Sequence, residues 1–178
     1  MCLPRSMSTV PSKLAGEQAI QGLCPHHLIV RTSWVYGGEE AHFARAILRR
    51  ANEGQPLEVV ADQWGAPTQV DWLATSVLLA LTQVVKAPDK GGLYHLCPAG
   101  ETSWHGFASA LVEEGCRLGL LAQPVPIKPI PSANWPQAAR RPSNSRLDCR
   151  RFATVFGIQI PAWEGLMSRW LASQCEGE

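Results

Sequence analysis

Four groups of residues carry side chains suited to chemistry. Lys13, in Ser-Lys-Leu-Ala-Gly-Glu-Gln at 12–18, stands where a helix is expected to open. A fixed cation there can hold a sugar hydroxyl or lower the pKa of a neighbouring acid; the plainer reading is a solvated lysine. Arg-Thr-Ser-Trp-Val-Tyr-Gly at 31–37 runs off the carboxyl end of an expected strand, where ligands bind in open α/β sheets. Trp34 beside the hydroxyls of Thr32 and Ser33 suits a flat ring with a polar rim, or simply covers the sheet end with Tyr36. In Asp-Gln-Trp-Gly-Ala-Pro-Thr at 62–68, Gln63 and Thr68 offer neutral donors and acceptors on a turn shaped by Gly65 and Pro67. A purely structural turn would need the same residues. Finally, Arg140, Arg141, Arg146, Arg150 and Arg151 crowd into twelve residues. Guanidinium forks bind phosphate in pairs of hydrogen bonds, so a diphosphate is a natural guest, against the default of a solvated basic face. The five histidines do not form a metal set.

These groups need elements to hold them. Ser12 can cap a helix over 12–23 with Leu14, Ala15, Ala19 and Leu23 as its apolar stripe, stopped by Gly22 and Pro25. A β-branched run at 27–33 reads as a buried strand, and 43–53 as a helix with Arg45, Arg49 and Arg50 on its wet face. A second strand is expected at 57–61. A long helix at 71–85, capped by Asp71, is apolar on more than one face and so should pack on a sheet. A third strand at 92–97 precedes a helix at 104–118 capped by Ser103. Alternating strand and helix is the signature of a parallel α/β sheet. Beyond 124 the prolines restrict 125–131 to an edge strand or extended segment, and a polar, Arg-rich loop follows at 134–146. Two short helices close the chain, one after an Asp148 cap and one over 161–173 with Pro161 in its first turn.

Composition narrows the class. The chain has 178 residues, 46% hydrophobic and 17% charged, with a net charge of +1. A disordered chain is excluded, and so is the broad basic field of a general nucleic-acid binder. Fifteen glycines and fourteen prolines argue for many turns and no coiled coil. Six cysteines show no C-x-x-C pair, which suits mostly buried free thiols in a reducing compartment. The first eleven residues lack a signal-peptide core, and the most apolar stretch, 72–85, is too short to span a bilayer. A soluble, cytoplasmic protein with no membrane partner is expected.

Taken in order, the blocks at 12–18, 31–37 and 62–68, then Gly-Leu-Tyr-His-Leu at 92–96, Thr-Ser-Trp-His at 102–105 and Arg-Pro-Ser-Asn-Ser-Arg-Leu-Asp at 141–148, resemble the dTDP-4-dehydrorhamnose reductases. These belong to the extended short-chain dehydrogenase/reductases, and the resemblance covers 12–171. It implies reduction of the 4-keto group of dTDP-4-keto-L-rhamnose by NADPH or NADH, in dTDP-L-rhamnose synthesis. It also implies a Rossmann-like parallel sheet with a small α+β substrate-binding lobe. Under it, Lys13 is the lysine of a Tyr-x-x-x-Lys pair and, with Thr32 and Ser33, binds cofactor; Trp34, Gln63 and Arg141 bind the nucleotide sugar. The remaining dinucleotide-binding part would span 12–38 and 57–100, and the lobe 39–56 and 101–178. Some relatives use a divalent ion such as Mg2+ for assembly, and a homodimer or hetero-complex would be in keeping.

Two departures qualify that expectation. Thr9, not tyrosine, stands four residues before Lys13, and an aliphatic hydroxyl is a far poorer acid than a phenol of pKa about 10. Tyr36 is the only conceivable substitute. No G-x-G-x-x-G or G-x-x-G-x-x-G occurs, although a full dinucleotide fold with a lobe needs on the order of 250 residues. The chain is therefore expected to be the carboxyl-terminal part of such a reductase, begun by truncation, splicing or a misread gene boundary, and inactive or weak alone. Its sheet should then expose an edge and an apolar face. An alternative from another class is a non-catalytic interaction module, like the similar β subunit of methionine adenosyltransferase.

Overall fold

β-Branched and aromatic residues set the strand pairs. In a computed structural model describing residues 9–38, 41–135 and 141–175, β1 (Leu28–Arg31) lies parallel to β6 (Gly92–His95), Ile29 opposite Leu93 and Val30 opposite Tyr94. Two further parallel pairs join β2 (Val35–Tyr36) to β5 (Thr68–Gln69) and β3 (Leu57–Val60) to β8 (Ile127–Ile130). One antiparallel pair joins β4 (Trp64–Gly65) to β7 (Thr102–Ser103). The α/β class holds, but the sheet is present as two-stranded pieces among the described residues rather than one continuous ladder. Pro129 sits in β8, which has a single strand neighbour; an edge tolerates the missing donor.

The helices are α1 (Thr9–Leu23), α2 (Phe43–Asn52), α3 (Val70–Lys86), α4 (Trp104–Arg117), α5 (Arg150–Phe156) and α6 (Trp163–Cys175). Around the aromatic rings of Tyr36, Phe107 and Trp170, the first core gathers α2, β3, α4 and α6. The second core packs Ala80 and Val84 of α3 and Phe152 and Phe156 of α5 against Tyr94 and Leu96. Two elements cross the expected domain boundary. β3, grouped by sequence with the dinucleotide-binding part, ladders with β8 and joins the first core, whereas α5, grouped by sequence with the lobe, packs on β6 and α3.

Several helix ends differ from expectation. Because α1 begins at Thr9, Ser12 lies inside it rather than capping it. Nor is its stripe buried: Leu14, Ala15 and Ala19 are exposed and Leu23 is 82% exposed. A two-pronged ion pair ties α1 to β1: Arg31 Nε and Nη2 donate to Glu17 at 2.9 and 2.6 Å. α3 is capped by Gln69, not Asp71: Gln69 Oε1 accepts from the Trp72 backbone at 2.7 Å, and its Nε2 donates to Asp71 at 2.6 Å. Asp71 braces the cap instead of forming it. Only one face of α3 packs; Leu78 and Leu79 are exposed and Val85 is 74% exposed. α6 starts at Trp163 because Pro161 and Ala162 are drawn into a bridge with Ala99, whose N–H donates to Pro161 O at 2.9 Å. The Ser103 cap is present, its Oγ accepting the Gly106 N–H at 3.0 Å, and Arg45, Arg49 and Arg50 are exposed as expected. α5 is instead entered through Cys149, whose side chain makes no cap; Asp148, one residue earlier than expected of a cap, accepts the Arg150 N–H at 3.0 Å through Oδ1.

Candidate functional site

Two adjoining clefts meet at Gln63. The segment after β3 works as a hub, because Asp62 and Trp64, flanking Gln63, each hold a distant loop. The Asp62 carboxylate accepts the Ser132 backbone N–H at 2.9 and 3.0 Å and its hydroxyl at 2.9 Å. This fixes the turn at 132–134 that leads into Trp135. The Trp64 backbone accepts from Ser145 N and donates to Ser143 O, both at 2.8 Å, which fixes the segment carrying Arg141. Gln63, 5% exposed and with no hydrogen-bond partner among the described residues, thus shares both clefts with Trp135 and Arg141.

The first cleft, about 330 Å³, runs between α2 and β3, with Phe43, Trp104 and Trp135 as aromatic wall and Arg50 at its edge. The second, about 740 Å³, is edged by Ser132, Ser143 and Asn144. Both volumes fall in the range of small-ligand sites, in which apolar walls and a few polar groups fix orientation.

Trp34 lies outside these linings and touches the site through another ring. Its indole stacks on Trp104 at 3.8 Å between centroids and 15° between planes, and Trp104 meets Phe43 at 4.6 Å. Gly65 permits the approach, since a Cβ there would stand 2.7 Å from the Trp34 ring. Lys13, on exposed α1, and the exposed Thr32 line neither cleft. Ser33 Oγ is buried without a hydrogen-bond partner among the described residues. Thr9 starts α1, and its side chain lies outside what the structure describes.

The arginine cluster disperses. Arg146 pairs with Glu101 at 2.7 Å, Arg150 with Asp148 at 2.5 Å, and Arg151 lies 4.7 Å over the Tyr94 ring. Arg140 falls outside the described residues. Of those described, Arg141 alone faces the clefts. Tyr36 is no substitute acid: it is 2% exposed, walled by Phe107, Trp170 and His42, and burial pushes its phenol pKa well above the ordinary value. Sequence reasoning gave no site role to Trp104, Trp135, Phe43 or Arg50. Trp104 did lie in a recognised block, but Trp135 stands in a loop without periodicity.

No group of three or more His, Cys, Asp or Glu among the described residues could hold a metal ion. No helix among them is long and apolar enough to cross a membrane.

The family described as the RmlD substrate binding domain matches residues 6–175. The dTDP-4-dehydrorhamnose reductase of Salmonella typhimurium is 41% identical over 160 residues, covering 90% of this chain and 54% of the relative. The chain thus spans about half the length of the curated relatives it matches. Among solved structures, the dTDP-4-dehydrorhamnose reductase of Bacillus anthracis in complex with NADP superposes with a TM-score of 0.77 at 29% identity, over 92% of this chain and 54% of that one. The Clostridium acetobutylicum reductase gives 0.79 at 28% identity, over 93% and 55%. The chain belongs to the RmlD substrate binding domain family.

Proposed function

We propose that this chain forms the nucleotide-sugar side of a dTDP-4-dehydrorhamnose reductase, which reduces the 4-keto group of dTDP-4-keto-L-rhamnose with NAD(P)H. The observation that carries the reading is the convergence of Gln63, Trp135 and Arg141 on two joined clefts, one walled by aromatic rings and one rimmed by hydroxyls. A thymine ring and a deoxysugar both offer flat or apolar faces with polar rims, and Arg141 supplies the fork for the diphosphate between them. Gln63, buried and unpartnered, is suited to orient a sugar hydroxyl or base carbonyl. Trp34 supports this wall by stacking on Trp104.

The residues present fit one end of NAD(P)H. Ser33 Oγ, buried without a hydrogen-bond partner among the described residues, is a polar group suited to the nicotinamide ribose, and under the resemblance the exposed Lys13 and Thr32 would join it. When bound, the cofactor supplies the hydride. The Gly-rich strand–turn–helix that would cradle its pyrophosphate is absent from the sequence. With threonine at position 9 the chain also lacks the phenol that Lys13 would tune, so alone it binds nucleotide sugar and turns over slowly or not at all. A cytoplasmic site of action and a homodimer or hetero-complex through the exposed apolar residues of α1 and α3 accompany this reading. No observation favours the regulatory-module alternative.

Tryptophan fluorescence tests binding, because Trp104 and Trp135 line the cleft. dTDP is expected to quench emission saturably, and Arg141→Ala to weaken its affinity about tenfold or more, the loss of one charge-assisted fork. Equal affinity of the variant, or no quenching by dTDP in the parent chain, would sink the reading. NADPH oxidation with the keto sugar should fall orders of magnitude below that of a relative with the tyrosine.

A further inference from the structure

Cys97 and Cys149 come together at the end of β6 from far apart in the sequence. Their Sγ atoms stand 3.5 Å apart, and the Cys97 backbone N–H donates to Cys149 Sγ at 3.2 Å. Both are buried, 3% and 9% exposed, in a small core with Ala66, Leu147 and Ile160. A cleft of about 530 Å³, edged by Gly100, Glu101 and Arg146, reaches the pair. The Arg146–Glu101 ion pair spans the same two segments at 2.7 Å and holds them in register. A disulfide needs sulfurs about 2.05 Å apart, so a small approach of two thiols already in contact suffices.

We propose that Cys97 and Cys149 form a redox modification site, which hydrogen peroxide entering the cleft converts to an intrachain disulfide. The Cys149 thiolate attacks a peroxide oxygen; the O–O bond breaks, Cys149 is oxidised to the sulfenic acid, and the departing hydroxide takes a proton to become water. Cys97 sulfur then attacks Cys149 Sγ, the S–O bond breaks, and the leaving hydroxide takes the Cys97 proton as a second water. Two thiols and one peroxide give one disulfide and two waters. Cys149 is the attacking sulfur because the Cys97 thiol lies against it and the Cys97 backbone N–H donates to it at 3.2 Å, which favours its thiolate and lowers its pKa against opposition from burial and neighbouring Asp148. The same contact and burial push the Cys97 thiol the other way, so it keeps its proton. The bond would clip the end of β6 to the segment that carries Arg141, and it does not depend on the proposed function.

Peptide mapping of the 178-residue chain after peroxide treatment and thiol blocking tests this. One cross-linked peptide pair containing Cys97 and Cys149 is expected, lighter by two hydrogens and opened by dithiothreitol. Glutathione disulfide at equal oxidising equivalents should make little of it, being too large for the buried pair. In Cys97→Ser, dimedone should label Cys149. Unchanged thiols, a sulfinic Cys149 without the cross-link, or preferential bonds through Cys24, Cys116 or Cys175 would overturn the proposal. An equal yield from glutathione disulfide would overturn the assignment to peroxide. The map of the parent chain decides the point even if the variant fails to fold.

Discussion

Trp34 holds φ at +50°, in the left-handed region that bulky side chains rarely adopt. Such strain costs of order 1–3 kcal/mol and persists only where surroundings over-determine it. Here the Trp34 carbonyl accepts the Thr68 N–H at 3.0 Å, while the ring is fixed by Trp104 and by the space that Gly65 leaves. Gly65→Ala would drive a methyl into the indole, with a loss of about 1–3 kcal/mol in urea unfolding as the ring is displaced. An unchanged midpoint would show that the stack can slide without cost. Both residues stood out in the sequence, but in separate groups. Spacing could not reveal that one accommodates the ring of the other, since the contact joins segments brought together only by the β2–β5 and β4–β7 pairs. Gln63 and Arg141 stood out by residue type as well as by the resemblance, whereas Trp135 did not. Its placement depends on Asp62, a carboxylate with no sequence signal for a partner so far along the chain.

At the scale of elements, local rules worked wherever the local partner was the real one. Ser103 caps α4, the arginines of α2 face water, and prolines confine β8 to an edge. They failed where a neighbouring strand took the residue first. Gln69 belongs to β5 and caps α3 from there, and Pro161–Ala162 are held by Ala99 before α6 begins. α4 and α6 are joined by a polar tie that no periodicity announces. Glu114 accepts from Arg117 at 2.6 and 2.7 Å and from the Ser168 hydroxyl, and the Arg117 hydrogen bond, then that of Ser168, lowers its pKa to about 2. Because the folded-state value lies below the unfolded one, the stabilisation is complete above the ordinary carboxyl pKa of 4.5 and is lost as pH falls towards 2. Glu114→Gln should cost roughly 1 kcal/mol at neutral pH, a modest figure because Arg117 is exposed. It should also flatten the acid limb of a pH series of urea midpoints. An acid limb identical to that of the parent chain would show that Glu114 contributes nothing.

At the scale of the molecule, the two cores are served unequally. The first core is enclosed by α2, α4 and α6, which close around Tyr36, Phe107 and Trp170. The core around β1 and β6 is covered by α3 and α5, and the outer face of α3 meets nothing among the described residues. Leu78, Leu79, Leu81 and Val85 remain exposed there, while α1 adds Leu14, Ile20 and Leu23. The sequence had marked α3 as apolar on more than one face, which by itself implies cover on each. Folding buries one face and leaves the other in water, where contiguous apolar area promotes association. A dye that fluoresces on apolar surface, such as anilinonaphthalene sulfonate, should therefore bind the folded chain. Leu78→Glu with Val85→Glu should cut that fluorescence by about half and raise the solubility limit, with little change in unfolding midpoint because neither side chain is packed. Dye binding unaffected by the pair would mean that the accessible apolar surface lies elsewhere, and a large fall in midpoint would mean that this face of α3 is covered after all.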